Sequence, residues 1–597
     1  HSKLQKTFIL EKGQKESSPL EKEKIMYNYN NPNKKNNTKA WAPKPEKPVT
    51  KSNRVSRKAS FMDKVENTAR GYYTQVAVPS LPADKQYTSN GAIAYKSSGS
   101  ALLDINTSIS ALRSLPDGDI VKKFRAAYSE NPRLAIRWLF YAGDIREGQG
   151  ERRLFQICLK DMMNNGGAQI VANLIPMIPE YSRWDYIYVV MDNPTTKPVV
   201  RELIRKQWKE DMANMKKGKS ISLMAKWLDS ASSHSHDTRK RGLKTMDMLG
   251  LTEREYRKGL SALRKHLDVV ERKMSSQNWQ SIDYETVPSK ANLNYNKAFL
   301  RNDEERRRAY LNALTKGEAK INSSVSNPCD IVHKYCENEW NTYPRSRDAA
   351  LEGMWKSLPN LVTDDSSTIV VADGSGSMCA TVGRTRMTAL EVANSLAIYF
   401  AERAKGAYKG RYITFSARPQ MVNVNHDSLY ENLREAARHN EVANTNLEAV
   451  FDLILDTAIK NHSPQSDLPK NILIISDGGW DSMVNIRNVN TGNGYGYWGY
   501  NSTHATAKEA PAFLKSIEQK YKNAGYEMSK IIFWNTCGNG TTGNGLPMTK
   551  NDYGIMVSGF SVQTLKMVLS GKTNPWDALM DVLLTKRYDA VEAKAFA

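Results

Sequence analysis

From residue 366 onward, short β-branched runs alternate with amphipathic stretches, and the first run ends in Asp373-Gly374-Ser375-Gly376-Ser377. Few folds accommodate that grammar. The apolar runs cover 368–371, 412–415, 472–475, 531–534 and 555–557, and helical stretches near 388–405, 427–438, 446–460, 503–524 and 561–569 separate them. Strands joined by helices lie mainly parallel, because a parallel neighbour needs a long crossover, and the helices then cover both faces. In such sheets ligands sit beyond the carboxyl ends of the strands.

Asp373, Ser375 and Ser377 alternate directly after the first run, so their side chains can converge where small neighbours relieve crowding. Thr445 precedes the helical stretch 446–460, and Asp477 follows the run 472–475. Three hydroxyls and two carboxylates make a hard, all-oxygen set suited to one divalent cation, Mg²⁺ first, with Mn²⁺ or Ca²⁺ as alternatives. The competing reading of the first three is a helix N-cap with turn serines. The five residues resemble the metal-ion-dependent adhesion site of integrin and von Willebrand factor A domains. That resemblance implies a C-terminal α/β, Rossmann-like A domain over 361–597, in which a partner's acidic oxygen completes the metal's coordination. The hydroxyls lack a nearby base, and no GxxxxGK[ST], HExxH or GxSxG motif occurs, so neither catalysis nor a nucleotide cofactor is expected. Between Asp477 and the next helix, a Gly-rich segment carries Tyr495, Tyr497, Trp498 and Tyr500. It reads as a recognition loop or as an insertion packed on itself.

Upstream, over about 98–350, the period changes to that of helices. Stripes such as Ile120, Val121, Phe124 and Ala127, then Leu134, Trp138, Leu139 and Tyr141, recur roughly every 20 residues with short Gly, Pro or Asn breaks. Leu154, Ile157, Cys158 and Met162 form another stripe, as do Leu260, Leu263, Leu267 and Val270. Successive antiparallel helices predict a degenerate α-helical repeat over 81–360, a HEAT-like solenoid able to close into a ring. The turn Arg146-Glu147-Gly148-Gln149-Gly150-Glu151-Arg152 resembles the Gly-rich turn of the TROVE module of Ro, telomerase and vault proteins. Segments 222–228, 256–261 and 287–291 resemble more closely an uncharacterised family of this layout in plants, fungi, large DNA viruses and phages. The Ro-like layout implies RNA binding, with single-stranded ends entering the ring and structured RNA on a basic outer face.

Charge bears on that expectation. The 597 residues carry a net charge of +22, which points to an acidic partner, with a solubility effect plus a basic tail as the plainer reading. Beside Arg146, Arg152 and Arg153 of the turn, a basic cluster comprises Lys226, Arg239, Lys240, Arg241, Lys244, Arg254, Arg257, Lys258, Arg264 and Lys265. It could neutralise phosphates, with Tyr256 and Trp227 as stacking surfaces. The alternative is a solvated helix face, since Glu253, Glu255 and Glu271 interleave. His234 and His236 lack a third ligand and read as a polar loop. Residues 1–80 are rich in Lys, Asn, Pro and Ser without apolar periodicity, and predict a flexible basic arm. His1 in place of Met predicts processing or truncation. The scattered cysteines Cys158, Cys329, Cys336, Cys379 and Cys537 form no CxxC pair and favour a reducing, cytoplasmic compartment, or packaging in a virion. No run approaches the ~18 apolar residues of a membrane span. The expected function is RNA binding in a ribonucleoprotein, with the A domain docking a protein partner. The alternative is a metal-dependent scaffold or a cargo component of a larger, viral assembly.

Overall fold

The computed structural model describes residues 81–88, 92–323, 326–336, 342–362, 367–383, 385–441, 443–479, 513–536, 545–561, 563–568 and 572–597. The basic arm and the aromatic segment with Tyr495, Tyr497, Trp498 and Tyr500 lie outside the described residues. The described residues belong to one unit, Pro79–Ala597. It is mostly helical, with a six-stranded sheet in its C-terminal part. No described helix is long and apolar enough to cross a membrane.

Each of the five apolar runs is a strand. They are β3 (Thr368–Asp373), β4 (Arg411–Phe415), β6 (Asn471–Ser476), β7 (Lys530–Asn535) and β8 (Gly554–Ser558). β5 (Gln420–Asn423) was not anticipated, because only Val422 of its four residues is buried and no apolar alternation marks it. β5 pairs antiparallel with β4 at the edge of the sheet, where one ladder of hydrogen bonds is enough to hold it. The order is β5-β4-β3-β6-β7-β8, parallel apart from β5. The chain works outward from β3 to one edge, then returns to build β6, β7 and β8 on the other side. This reversal opens a crevice at the carboxyl ends of β3 and β6, the position where open α/β sheets bind ligands. The helix Ala389–Arg403 follows β3 and is buried on nearly every side, which explains its all-round apolar sequence.

The predicted helical stripes face the core. Ile120, Phe124, Ala127, Trp138, Leu139, Tyr141, Leu154, Cys158, Leu260 and Leu263 are all buried. Local signals place the helix ends. Asn131 accepts from the Leu134 amide ahead of Pro132, Thr252 and Glu255 form a capping box, and Gly250 and Gly317 end their helices in the left-handed region. A small hairpin, β1 (Lys85–Tyr87) and β2 (Ile93–Tyr95), precedes them and pairs through Tyr95 with Leu546.

The helical run begins and ends on the α/β part. At its start the helix Ala101–Thr107 packs on β8, and Ser110 exchanges hydrogen bonds with Ser558 and the Gly559 amide. At its end the helix Pro328–Cys336 packs on Ala389–Arg403. Nearby, Glu352 accepts from the amides of Leu429 and Tyr430 and so caps a helix of the α/β part. Past β8 the chain turns back to the helical part: the helix Pro575–Leu583 packs on both β8 and Pro132–Gly143, and Lys586–Ala595 on Pro132–Gly143 and Ala168–Leu174. One apolar core runs through both parts, and a smaller cluster around Val270, Tyr284 and Phe299 stands apart.

Candidate metal site and cleft

All five predicted ligands lie at the carboxyl edge of the sheet. Asp373 is the last residue of β3, and Asp477 follows β6 at once. Ser375, 0% exposed, begins the turn Gly376–Cys379, and the Gly376 amide donates to the Ala443 carbonyl at 3.1 Å, which brings the Thr445 loop against it. Ser416 reinforces that loop by accepting from the Ala443 amide and donating to the Asn444 carbonyl. Gly374 is tight: a Cβ there would meet the Thr414 hydroxyl at 3.0 Å.

Asp373 and Asp477 are only 1% and 4% exposed, and Thr445 is buried as well. Asp373 Oδ1 accepts from the Ser375 amide at 2.9 Å and Oδ2 from the Ser476 hydroxyl at 2.6 Å. Asp477 accepts from the Gly479 amide at 2.9 Å and from the Ser377 side chain. Ser375 and Ser377 hydroxyls stand 3.2 Å apart. Burial, then the neighbouring Asp477 charge, pushes the Asp373 carboxyl up to about 7, and burial also raises Asp477. Two buried carboxylates with hydroxyls between them, one raised in part by the charge of the other, form a donor set that fits a hard divalent cation. No group of three His, Cys, Asp or Glu side chains positioned for a metal occurs among the described residues, so the site has two carboxylates and relies on hydroxyls. Ser476 escaped the sequence reading, although its place beside Asp477 at the strand end was the available signal.

The predicted basic residues divide into two sets. Five are engaged in the fold. Arg153 pairs with Asp117 and donates to the Leu115 carbonyl, Arg241 pairs with Asp229 at 2.5 Å, and Lys244 pairs with Asp192 at 2.6 Å. Lys226 lies 3.4 Å from Glu271. Arg264 donates to the Ala225 and Leu228 carbonyls, and burial lowers its guanidinium below the ordinary range. The other eight, Arg146, Arg152, Arg239, Lys240, Arg254, Arg257, Lys258 and Lys265, are exposed. Tyr256 is no stacking surface: it is 1% exposed, stacks on Trp208 and donates to the Asp229 carbonyl, because a tyrosine at that helical position faces inward. Trp227 is half-buried, with the Arg183 guanidinium 3.6 Å above its ring. His234 and His236 are exposed.

The Gly-rich turn has a structural task that its sequence did not reveal. A Cβ on Gly148 would come within 2.0 Å of the Tyr141 carbonyl, and Gly150 has φ +67°. Gln149 donates to the Tyr141 hydroxyl at 2.6 Å and reaches Thr564 at 2.8 Å, and Glu151 binds Arg113 through both oxygens. The turn therefore joins the helical part to the α/β part.

The same turn lines a cleft of about 1230 Å³. Its walls come from stretches along the whole helical run, including Arg113, Arg146, Arg152, Arg183, Lys226, Trp227, Lys290 and Tyr295, and from Thr385, Met387, Phe560 and Ser561 of the α/β part. Thr385 and Met387 follow the Asp373–Ser377 loop, and Phe560 and Ser561 follow β8, so the cleft adjoins the carboxyl edge of the sheet. Arg113, Arg183, Lys226 and Lys290 each pair with a carboxylate. Arg146 and Arg152 have no ion-pair partner among the described residues.

The chain is similar to two families known only as domains of unknown function. DUF7788 matches residues 367–592, and DUF2828 matches 88–184 and 232–367. The boundary between them falls at the start of β3. The chain is also similar to an uncharacterized protein of Acanthamoeba polyphaga mimivirus, 28% identical over 545 residues, which cover 84% of this chain and 87% of that protein.

Proposed function

We propose that the protein is a Ro-like RNA-binding protein. In this reading single-stranded RNA occupies the cleft, structured RNA lies on the basic helix face, and the α/β part docks an acidic group through a divalent cation. The cleft carries the reading: it offers Arg146 and Arg152 with no ion-pair partner among the described residues, and has Trp227 and Tyr295 on its walls. The exposed positions 254, 257, 258 and 265 share one side of the helix Glu253–His266 and suit contacts to phosphates, which give affinity with little sequence preference. A gel-shift series with single-stranded and hairpin RNA tests it. Binding at low salt with a steep salt dependence is expected, and absence of any shift at low salt would sink the reading.

Asp373, Ser375, Ser377, Thr445 and Asp477 would hold the cation, Mg²⁺ first, with Mn²⁺ or Ca²⁺ as alternatives. When bound, it supplies a positive position that a partner's carboxylate or phosphate completes. We assign no catalytic step, because Ser375 and Ser377 face carboxylates already held by amides and hydroxyls. A second reading, a metal-dependent protein scaffold, is favoured by the same donor set. Under it, Asp373→Ala abolishes a protein contact and leaves RNA affinity unchanged, whereas retention of every partner under chelation rules it out.

A further inference from the structure

We propose that the helix Lys586–Ala595 is a strap that holds the Gly-rich turn of the cleft in shape, with Arg587 as a positioning residue for Arg146 and Arg152. Asp144 opens the turn and is 0% exposed. Its Oδ2 accepts from Arg587 Nε at 2.5 Å and from the Tyr588 hydroxyl at 3.2 Å; its Oδ1 accepts from Arg587 at 3.0 Å and from the Arg146 amide at 2.9 Å. The Asp144 carbonyl accepts from the Gly150 amide at 3.0 Å, so this residue ties the two limbs of the turn together, alongside the Gln149 and Glu151 amides on the Tyr141 and Ala142 carbonyls. A buried carboxylate that loses its guanidinium partner must be rehydrated, and here water reaches it by opening the turn. Arg587 is itself fixed by its seat 4.4 Å over the Tyr181 ring, and the Tyr181 hydroxyl donates to the Arg587 carbonyl.

The rest of the strap is held by the buried side chains of Val591 and Ala595 and by ion pairs. Arg137 pairs with Asp589 and Glu592, and Arg133 pairs with Glu592 at 2.7 Å. Arg133–Glu592 and Arg137–Asp589 each have one exposed partner, and such pairs contribute little and weaken with salt. The contact of Arg587 with Asp144 reaches the turn itself, from a residue that lies 443 positions away in the chain. The consequence for ligand affinity rests on the RNA reading above; the consequence for the turn does not.

The test compares the full-length protein with Arg587→Met, Arg587→Lys and the double variant Arg587→Met/Asp144→Asn, by hydrogen exchange and by binding of a fluorescent oligouridine. In Arg587→Met, exchange over 145–151 should quicken by on the order of tenfold while β6 stays unchanged, and oligouridine affinity should fall by a similar factor. The double variant, which removes the charge along with its partner, should restore both. If Arg587→Met does not fold, Arg587→Lys, which cannot reproduce the two-nitrogen contact, should still show faster exchange in the turn than the parent. Parent-like exchange over 145–151 in the single variants overturns the proposal, as does a double variant that stays open. A salt slope that drops by about one in Arg587→Met, the mark of a lost phosphate contact, also overturns it. If the parent itself fails to bind oligouridine, the RNA reading fails and the exchange data alone decide the strap.

Discussion

Gly148 and Asp373 show how far single residues are constrained, one by space and the other by charge. With only 2.0 Å between a Cβ at 148 and the Tyr141 carbonyl, Gly148→Ala must displace backbone, and a loss of roughly 1–3 kcal/mol is expected in a urea titration. For Asp373 the folded carboxyl titrates near 7, against the ordinary 3.8, so the folded state holds its proton more tightly than the unfolded state. In chelator, the stability contributed by the protonated form is complete below about pH 4 and is lost as pH rises through about 7. A divalent cation competes with that proton. The rise in melting temperature on adding Mg²⁺ should therefore grow between pH 5 and pH 8 (~3 units of pH spanning the raised carboxyl), and should vanish in Asp373→Asn. Differential scanning fluorimetry with Mg²⁺ and with chelator reads both. Burial also decides the role of Tyr256: Tyr256→Phe loses the bond to the Asp229 carbonyl, at about 1 kcal/mol of stability, with RNA affinity unchanged in a gel shift.

The helix Glu253–His266 divides its work between two faces. Tyr256, Leu260 and Leu263 turn inward, and Arg264 is spent on two carbonyls, while positions 254, 257, 258, 261 and 265 face solvent. The double variant Arg257→Gln/Lys258→Gln should weaken binding to RNA hairpins of any sequence alike and reduce the salt slope by about 2, with the unfolding midpoint unchanged. Arg264→Gln should do the reverse, lowering stability and leaving the slope intact. Arg307 marks the small second cluster in a similar way. It is fully buried among Tyr284, Phe299 and Tyr310, and it donates to Asn292 and Asn296, with no ion-pair partner among the described residues.

At the scale of the whole molecule, the helical run starts and finishes on the α/β part, and the chain's last helices return to the helical part. The shared core removes any plane along which the two could separate cleanly. A fragment covering 361–597 would expose the side of Ala389–Arg403 that Pro328–Cys336 covers, and would leave Lys586–Ala595 without its seat. It should aggregate or bind a hydrophobic dye, whereas 81–597 should melt in one transition by both circular dichroism and tryptophan fluorescence.

The parallel strands, their helices and the place of five oxygen-bearing side chains at one edge of the sheet were legible in the residue order. Hydrophobic period and strand-end position are local properties, and each ligand lies within a few residues of a strand or helix end. The stripes of the helical part were legible for the same reason. Only the tertiary structure could separate the arginines that serve the fold from those left exposed, since Arg264 and Lys265 are neighbours with opposite fates. It alone turned Tyr256 inward and made a Gly-rich turn the joint between the two parts. Those outcomes depend on partners hundreds of residues away, such as Arg587 at Asp144 and Thr564 at Gln149. A sequence lists such partners without distances, and the chain supplies the distances only by folding.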